Sequence, residues 1–298
     1  MAGMKDVSSR TAQEAAWGVG WCCSYCSAPL EPRDHGLVCP LEDRWFATDR
    51  GVHRLLPQER RQEMLPALEL DTRVQRDLRR SDSPRSSRRA TGLDEGLRLA
   101  SPWLPAPPWR VLDVGAGSCW ASLRLMQQGH SAVAVDVSLD PEEGLPAASD
   151  APLPRAEAEM DALPLEPGLF DLVLCVASLH YAPRLRSTLI ELRRVTRRGG
   201  LMLALGSPVF RRREDGEAVV ARRMRELGHR YGFPVDREVL PGYLVLGEMQ
   251  DLFRTSGWLL EVRGWPRRAA EWVEDGLQRL RGRRPEGRGP ILLARRDG

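Results

Sequence analysis

The chain has 298 residues, a net charge of +3 and 42% hydrophobic residues, enough for one full α/β domain plus a small module. No apolar run approaches the roughly 18 residues a bilayer span needs. The first 20 residues carry neither a basic start nor an apolar stretch, so no secretory leader is expected and the cytoplasm is the expected compartment. Lys5 is the only lysine, so almost all basic charge is arginine. The bias runs through the whole chain, and Arg88-Arg89, Arg193-Arg194 and Arg222-Arg223 read as solvated faces rather than a nucleic-acid footprint.

In chain order, residues 1–20 read as a flexible tail. Residues 21–57 are short, turn-rich and hold Cys22, Cys23, Cys26 and Cys39, four of the six cysteines. In a reducing compartment such a cluster points to metal rather than disulfides. Cys23-Ser24-Tyr25-Cys26 is a C-x2-C knuckle, and Cys39-Pro40 follows. Two thiolate pairs would make a tetrahedral zinc site, but no cysteine partners Cys39 at short spacing. Asp43, His35 and Cys22 are the available fourth ligands. A metal-free module would rest on Trp21, Trp45 and Phe46 instead.

Residues 58–100 read as a helical linker. Leu68, Val74 and Leu78 stand near helical spacing, broken by Pro66. Residues 81–92, rich in serine and arginine, read as a flexible linker or mobile loop. From Trp109 onward strands and helices alternate, with strands expected at 110–114, 132–136, 155–159, 170–176, 200–206, 259–265 and 290–296. The helix from Arg184 to Arg197 carries one apolar stripe, Leu185, Leu189, Leu192 and Val195, and Gly199-Gly200 ends it. Residues 208–246 exceed a simple crossover and read as a helical lid.

The densest signal is Val111-Leu112-Asp113-Val114-Gly115-Ala116-Gly117. An apolar strand enters Asp-x-Gly-x-Gly, and a second strand, Ala132-Val133-Ala134-Val135, ends on Asp136. This is the nucleotide-binding half of a doubly wound sheet. Glycine lets backbone approach a ligand where a Cβ would clash. Asp136 is placed to accept hydrogen bonds from a ribose diol.

Further motifs carry a resemblance. Met160-Asp161-Ala162-Leu163-Pro164, Phe170-Asp171-Leu172-Val173 and Leu192-Arg193-Arg194-Val195 through Gly199-Gly200-Leu201 follow in order. With the glycine turn and Asp136, they resemble the class I S-adenosylmethionine-dependent methyltransferases over residues 109–298. The resemblance implies a Rossmann-like α/β fold with a seven-stranded sheet, the domain spanning 101–298, and S-adenosyl-L-methionine as cofactor. It implies cofactor contacts from Asp113, Gly115, Ala116, Gly117, Asp136, Val137, Met160, Asp161, Ala162 and Ser178, with Asp161 near the adenine amine. Cys119 stands where the third glycine is usual, its side chain expected near the amino-acid end of the cofactor. It reads as a small buried space-filler. Arg198 replaces the proline usual before the glycine pair.

Methyl transfer needs alignment, and a general base only if the acceptor must lose a proton. His180, just past the fourth strand at the carboxyl edge of the sheet, is the candidate base, with a pocket-shaping role as the alternative. Tyr181 is grouped with it, and Tyr181, Tyr231 and Tyr243 are candidate acceptor-pocket residues.

Residues 21–57 are similar to the amino-terminal zinc-binding region of the ribosomal RNA guanine-N1 methyltransferases, from Cys23, Cys26 and Cys39-Pro40 to Gly51-Val52 and Leu55-Leu56-Pro57. A histidine of that family stands where Asp43 stands here. The resemblance therefore implies a small zinc-ribbon-like module with structural zinc on Cys23, Cys26, Cys39 and Asp43. Three functional readings follow. A small-molecule methyl acceptor is favoured, because the Ser-Leu-His-Tyr-Ala-Pro segment, the Ser207-Pro208 turn and the near-neutral charge fit metabolite enzymes. RNA is the alternative acceptor, gripped by the module with a base flipped under the lid. A non-catalytic cofactor-binding protein is the third. No membrane partner is expected, and the sequence leaves the oligomeric state open.

Overall fold

The computed structural model of the protein describes residues 19–81, 85–232, 235, 242–264 and 289–297. The tail expected over 1–20 therefore lies, up to residue 18, outside the described residues. The described chain opens with four short strands, β1 (Glu31–Arg33), β2 (Gly36–Cys39), β3 (Arg44–Asp49) and β4 (Val52–His53). Tight turns join them antiparallel. Arg50 and Gly51 both have positive φ between β3 and β4, the geometry of a two-residue hairpin matched to strand twist.

Two helices follow, α1 (Gln58–Ser81) and α2 (Arg85–Ala100). Here the structure departs from expectation. The loop read into 81–92 is helical from Arg85, since a segment of arginine, serine and alanine has no obligatory breaker before Gly92. Nor does Pro66 end a helix: α1 runs through it, at the loss of one backbone donor.

The α/β part contributes β5 (Arg110–Val114), α3 (Trp120–Gln127), β6 (Ser131–Asp136), β7 (Arg155–Glu157), β8 (Phe170–Val176), α4 (Leu185–Val195) and β9 (Thr196–Leu205). Then come β10 (Val209–Phe210), α5 (Arg213–Tyr231), β11 (Leu244–Val245), α6 (Leu246–Thr255), β12 (Trp258–Arg263) and β13 (Ile291–Arg296). Each of the seven expected strands is present within a few residues. Buried apolar runs such as Val111-Leu112 and Leu172-Val173-Leu174 are what a sheet covered on both faces requires.

One strand-count expectation is corrected. Among the described residues the main sheet has eleven strands, in the order β1-β2-β3-β4-β7-β6-β5-β8-β9-β13-β12, because the amino-terminal strands join it. His53 of β4 pairs parallel with Ala156 of β7. The module also shares its core with the domain: Trp21, Cys23, Cys39, Phe46 and Leu55 belong to one buried cluster with Leu112, Val133 and Phe170. Trp45, expected to help hold the module, is instead 56% exposed.

The segment expected to be a lid is built around α5. It starts and ends on the parallel pair β10–β11, and a Cβ at Gly216 would collide with the Tyr243 ring. Its far end packs on α1: Leu227 and Val235 cluster with Val74 and Leu70. Residues 233, 234 and 236–241 of this region lie outside the description.

Candidate functional site

Strands β5, β6, β7, β8 and β9 run parallel, so their carboxyl ends form one edge, where open α/β sheets bind ligands. Between β5 and α3 the chain makes a left-handed glycine turn, with φ +69° at Gly115 and +53° at Gly117. A Cβ at Gly115 would collide with Ser178. The Gly115 and Ala116 N–H groups donate to Val135 O at 2.9 and 3.2 Å, fastening the turn to β6. Ser178 donates from Oγ to Val114 O at 2.6 Å, closing it from the β8 side.

Asp136 stands at the end of β6, partly exposed. Its Oδ2 accepts from Gly117 N at 2.7 Å and its Oδ1 from Ser138 N at 2.8 Å. Burial raises its carboxyl, and the Ser138, Gly117 and Val137 amides oppose that. A carboxylate offers about four lone-pair sites, so each oxygen keeps capacity for a ribose hydroxyl. Asp113 is 1% exposed and lies beneath the turn, accepting from Ser122 Oγ of α3 at 2.7 Å. Burial pushes its carboxyl up to about 6.

Cys119 sits in the left-handed region, φ +61°, which is why glycine suits that position. Its side chain is fully buried among Val52, Ala132, Ala134 and Leu145, not at the surface of the turn. Burial raises the thiol far above its ordinary value, so it stays protonated and unreactive.

Past β7, Met160, Asp161 and Ala162 cross the same edge. Met160 packs against the main core. The Asp161 carboxylate pairs with Arg184 at 3.0 Å, and Ala162 N donates to Glu159 O at 3.2 Å. Past β8, His180 places Nδ1 3.2 Å from Ser207 Oγ, and Gly242 N donates to its carbonyl at 2.9 Å. The Tyr181 ring lies 4.7 Å from the imidazole. Burial first, then the Arg223 charge, pull the imidazole down to about 4. It is therefore neutral near pH 7 and a weak proton acceptor.

Of the other tyrosines, Tyr243 packs edge-on against Phe210 at 5.7 Å, and its buried hydroxyl has no partner among the described residues. Tyr231 turns toward α1, where the Arg73 guanidinium lies 5.1 Å from its ring.

At the other end of the sheet, Cys23, Cys26 and Cys39 converge with Glu42, their ligand atoms all within 4.8 Å of one another. The Cys26 and Cys39 sulfurs are 3.4 Å apart, and Cys23 Sγ is 3.9 Å from Glu42 Oε2. Asp43 is not in this group, nor are His35 and Cys22. Asp43 occupies the left-handed last position of the β2–β3 turn, φ +48°. The signal missed in the sequence was Cys39-x2-Glu42, the same knuckle spacing as Cys23-x2-Cys26. Three sulfurs and one carboxylate are a donor set that zinc accepts.

Sequence reasoning also missed the arginines by which the module and α1 are bound to the domain. Arg54 and Arg61 reach the buried Glu157 at 2.6 and 3.0 Å. Arg60 grips Glu159 with Nε to Oε2 at 3.0 Å and Nη2 to Oε1 at 2.7 Å. Nothing local in the sequence pairs residues about a hundred positions apart.

Residues 112–204 match the family model described as a methyltransferase domain. The glycine turn and the acid-ended second strand both lie within that stretch. An uncharacterized protein of Mycobacterium tuberculosis is 39% identical over 99 residues, 32% of this chain and 36% of that protein. The malonyl-(acyl-carrier protein) O-methyltransferase of Erwinia pyrifoliae is 35% identical over 113 residues, 36% of this chain and 41% of that protein. The match thus covers less than half the length of either curated relative. The YcgJ protein from Bacillus subtilis shares the fold, with a TM-score of 0.51 at 15% identity over 70% of this chain and 99% of that one. No helix among the described residues is long and apolar enough to cross a membrane.

Proposed function

We propose that the protein transfers a methyl group from S-adenosylmethionine to a small-molecule acceptor, with the amino-terminal cysteine cluster holding a structural zinc. The observation that carries the reading is the glycine turn closed against Ser178 with the Asp136 carboxylate beside it. When bound, the cofactor supplies a methyl on a positively charged sulfur, which an acceptor lone pair displaces in line. The backbone at Gly115, Ala116 and Gly117 admits the cofactor closely, and Asp136 accepts from the ribose. Met160, Asp161 and Ala162 border the adenine, and Val137 and Ser178 flank the two strand ends.

Past β8, neutral His180 holds Ser207 and, through its own carbonyl, the Gly242 end of the lid. Its depressed basicity suits acceptor positioning better than proton abstraction, with the Tyr181 ring tilted beside it. The buried Tyr243 hydroxyl is a further group for the acceptor to satisfy. One curated relative is named for a malonyl-(acyl-carrier protein) acceptor rather than a nucleic acid, which supports the same direction.

The direct test is methyl transfer from labelled S-adenosylmethionine into fractionated cell extract, with and without ribonuclease. Label in the small-molecule fraction is expected. Ribonuclease-sensitive label in large RNA would replace this reading with an RNA (guanine-N1) methyltransferase. No binding of S-adenosylmethionine at all would leave a non-catalytic protein. Asp136→Ala should weaken cofactor binding by about 1.5–3 kcal/mol, the range for losing charge-assisted hydrogen bonds.

A further inference from the structure

The segment from Glu157 to Leu165 carries the residues read as bordering the adenine. β6 holds its start, Ala158 N donating to Asp136 O at 3.0 Å. α4 holds its end, Leu163 N donating to Glu191 Oε1 at 2.8 Å and Arg194 Nη2 to Leu163 O at 2.9 Å. The turn between is gripped from α1. Glu159 is 8% exposed and receives a two-pronged grip from Arg60 of α1. Two parallel N–H···O bonds fix a carboxylate in angle as well as distance, which a single ammonium contact does not. The Glu159 carbonyl in turn accepts from Ala162 N, so the side chain and backbone of Glu159 clamp the turn containing Met160 and Asp161. Farther on, Cys22 N donates to Pro164 O at 2.9 Å and Glu166 N to Gly20 O at 2.9 Å.

The clamping residue is itself held at both ends of its helix. At the start of α1, Tyr25 of the C-x2-C knuckle donates to Glu59 Oε2 at 3.3 Å, one residue before Arg60. Near the far end, Val74 and Leu70 are packed on the lid helix. The 14 residues from Arg60 to Val74 span about 21 Å of helix at 1.5 Å per residue. One rigid element therefore touches the cysteine knuckle, the loop past β7 and the lid.

We propose that Arg60 is a positioning residue for the cofactor: through its grip on Glu159 it holds the Met160–Ala162 turn in the form that receives the adenine, making cofactor affinity depend on the helix that follows the amino-terminal module. The proposal rests on the S-adenosylmethionine reading above. Its test compares S-adenosylmethionine binding by calorimetry, and kcat and KM where turnover is measurable, in the full-length protein, Arg60→Gln, Arg60→Lys, Arg61→Gln and the charge-swapped Arg60→Glu/Glu159→Arg pair.

Arg60→Gln is expected to raise the cofactor Kd tenfold or more, with kcat at saturating cofactor within about twofold of wild type. Arg60→Lys should fall between the two, and the swapped pair should recover most of the loss. Arg61→Gln, which touches Glu157 on β7 rather than the turn, should leave Kd within about twofold. Equal cofactor affinity in Arg60→Gln and wild type would overturn the proposal. So would equal losses in Arg60→Gln and Arg61→Gln, which would mark a general stability effect. Should Arg60→Gln not fold, Arg60→Lys decides on the same criterion. Failure of the wild-type protein itself to bind would sink the parent reading instead, which keeps the two apart.

Discussion

The glycine turn and the cysteine cluster are both built on strand ends, yet they are different kinds of site. At the turn, backbone does the work: positive φ at Gly115 and Gly117 and amides aimed at Asp136 and Val135. At the cluster, four side chains from a knuckle and a hairpin turn must converge on one point. A backbone site is encoded by contiguous residues, whereas a convergent site depends on which turn residue faces inward. The first tolerates almost no change of residue type at its glycines. The second tolerates change at neighbours but not at ligands.

The largest effect should come from the backbone site. Gly115→Ala is expected to destabilise the protein by about 3 kcal/mol or more, from left-handed strain plus overlap with Ser178. Cofactor binding should be lost with it. Denaturant titration checks the first and calorimetry the second; a loss under about 1 kcal/mol would mean Ser178 moves aside freely.

Next comes pH. Folding lowers the His180 pKa from 6.5 to about 4. The unfolded chain then binds the extra proton, so stability falls as pH drops from 6.5 toward 4. Compared with His180→Gln, the wild type should lose up to about 3 kcal/mol over that window. Asp113, raised to about 6, acts with the opposite sign, but it is present in both proteins and cancels in the difference. Parallel stability curves would place the imidazole in contact with solvent.

The cluster gives a smaller, more selective effect. Metal analysis should find about one zinc per chain. Glu42→Gln should weaken zinc binding tenfold or more, about 1.4 kcal/mol, while Asp43→Asn leaves it nearly unchanged. The reverse ranking would restore Asp43 as the ligand. The smallest effect is chemical: after chelation, the exposed Cys26 should be alkylated readily. Cys119 and Cys175, both buried, with the Cys175 thiol pushed up to about 12, should resist alkylation until the chain unfolds.

These differences explain what the sequence made legible. Strands β5, β6, β8 and β9 could be read because buried parallel strands are continuous apolar runs, and the Leu185–Val195 stripe because one face of a helix is periodic. The glycine turn and Asp136 could be located because their spacing is local. Glu42 was passed over in favour of its neighbour because turn geometry, not residue type, decides which acid faces the sulfurs. The Arg60–Glu159 and Arg54–Glu157 pairs had no local signature, and neither did the merging of β4 into the sheet through His53.

That merger has a consequence for how the protein coexists with other chains. Without it, β7 would be a bare sheet edge with unpaired amides, a template for association. The added strands move that margin out to β1, which is short and fully exposed. There Pro32 withholds a donor between the charged Glu31 and Arg33, features that discourage another strand from docking. The cysteine-bearing segment thus doubles as a fender, ending the sheet on a border that resists aggregation.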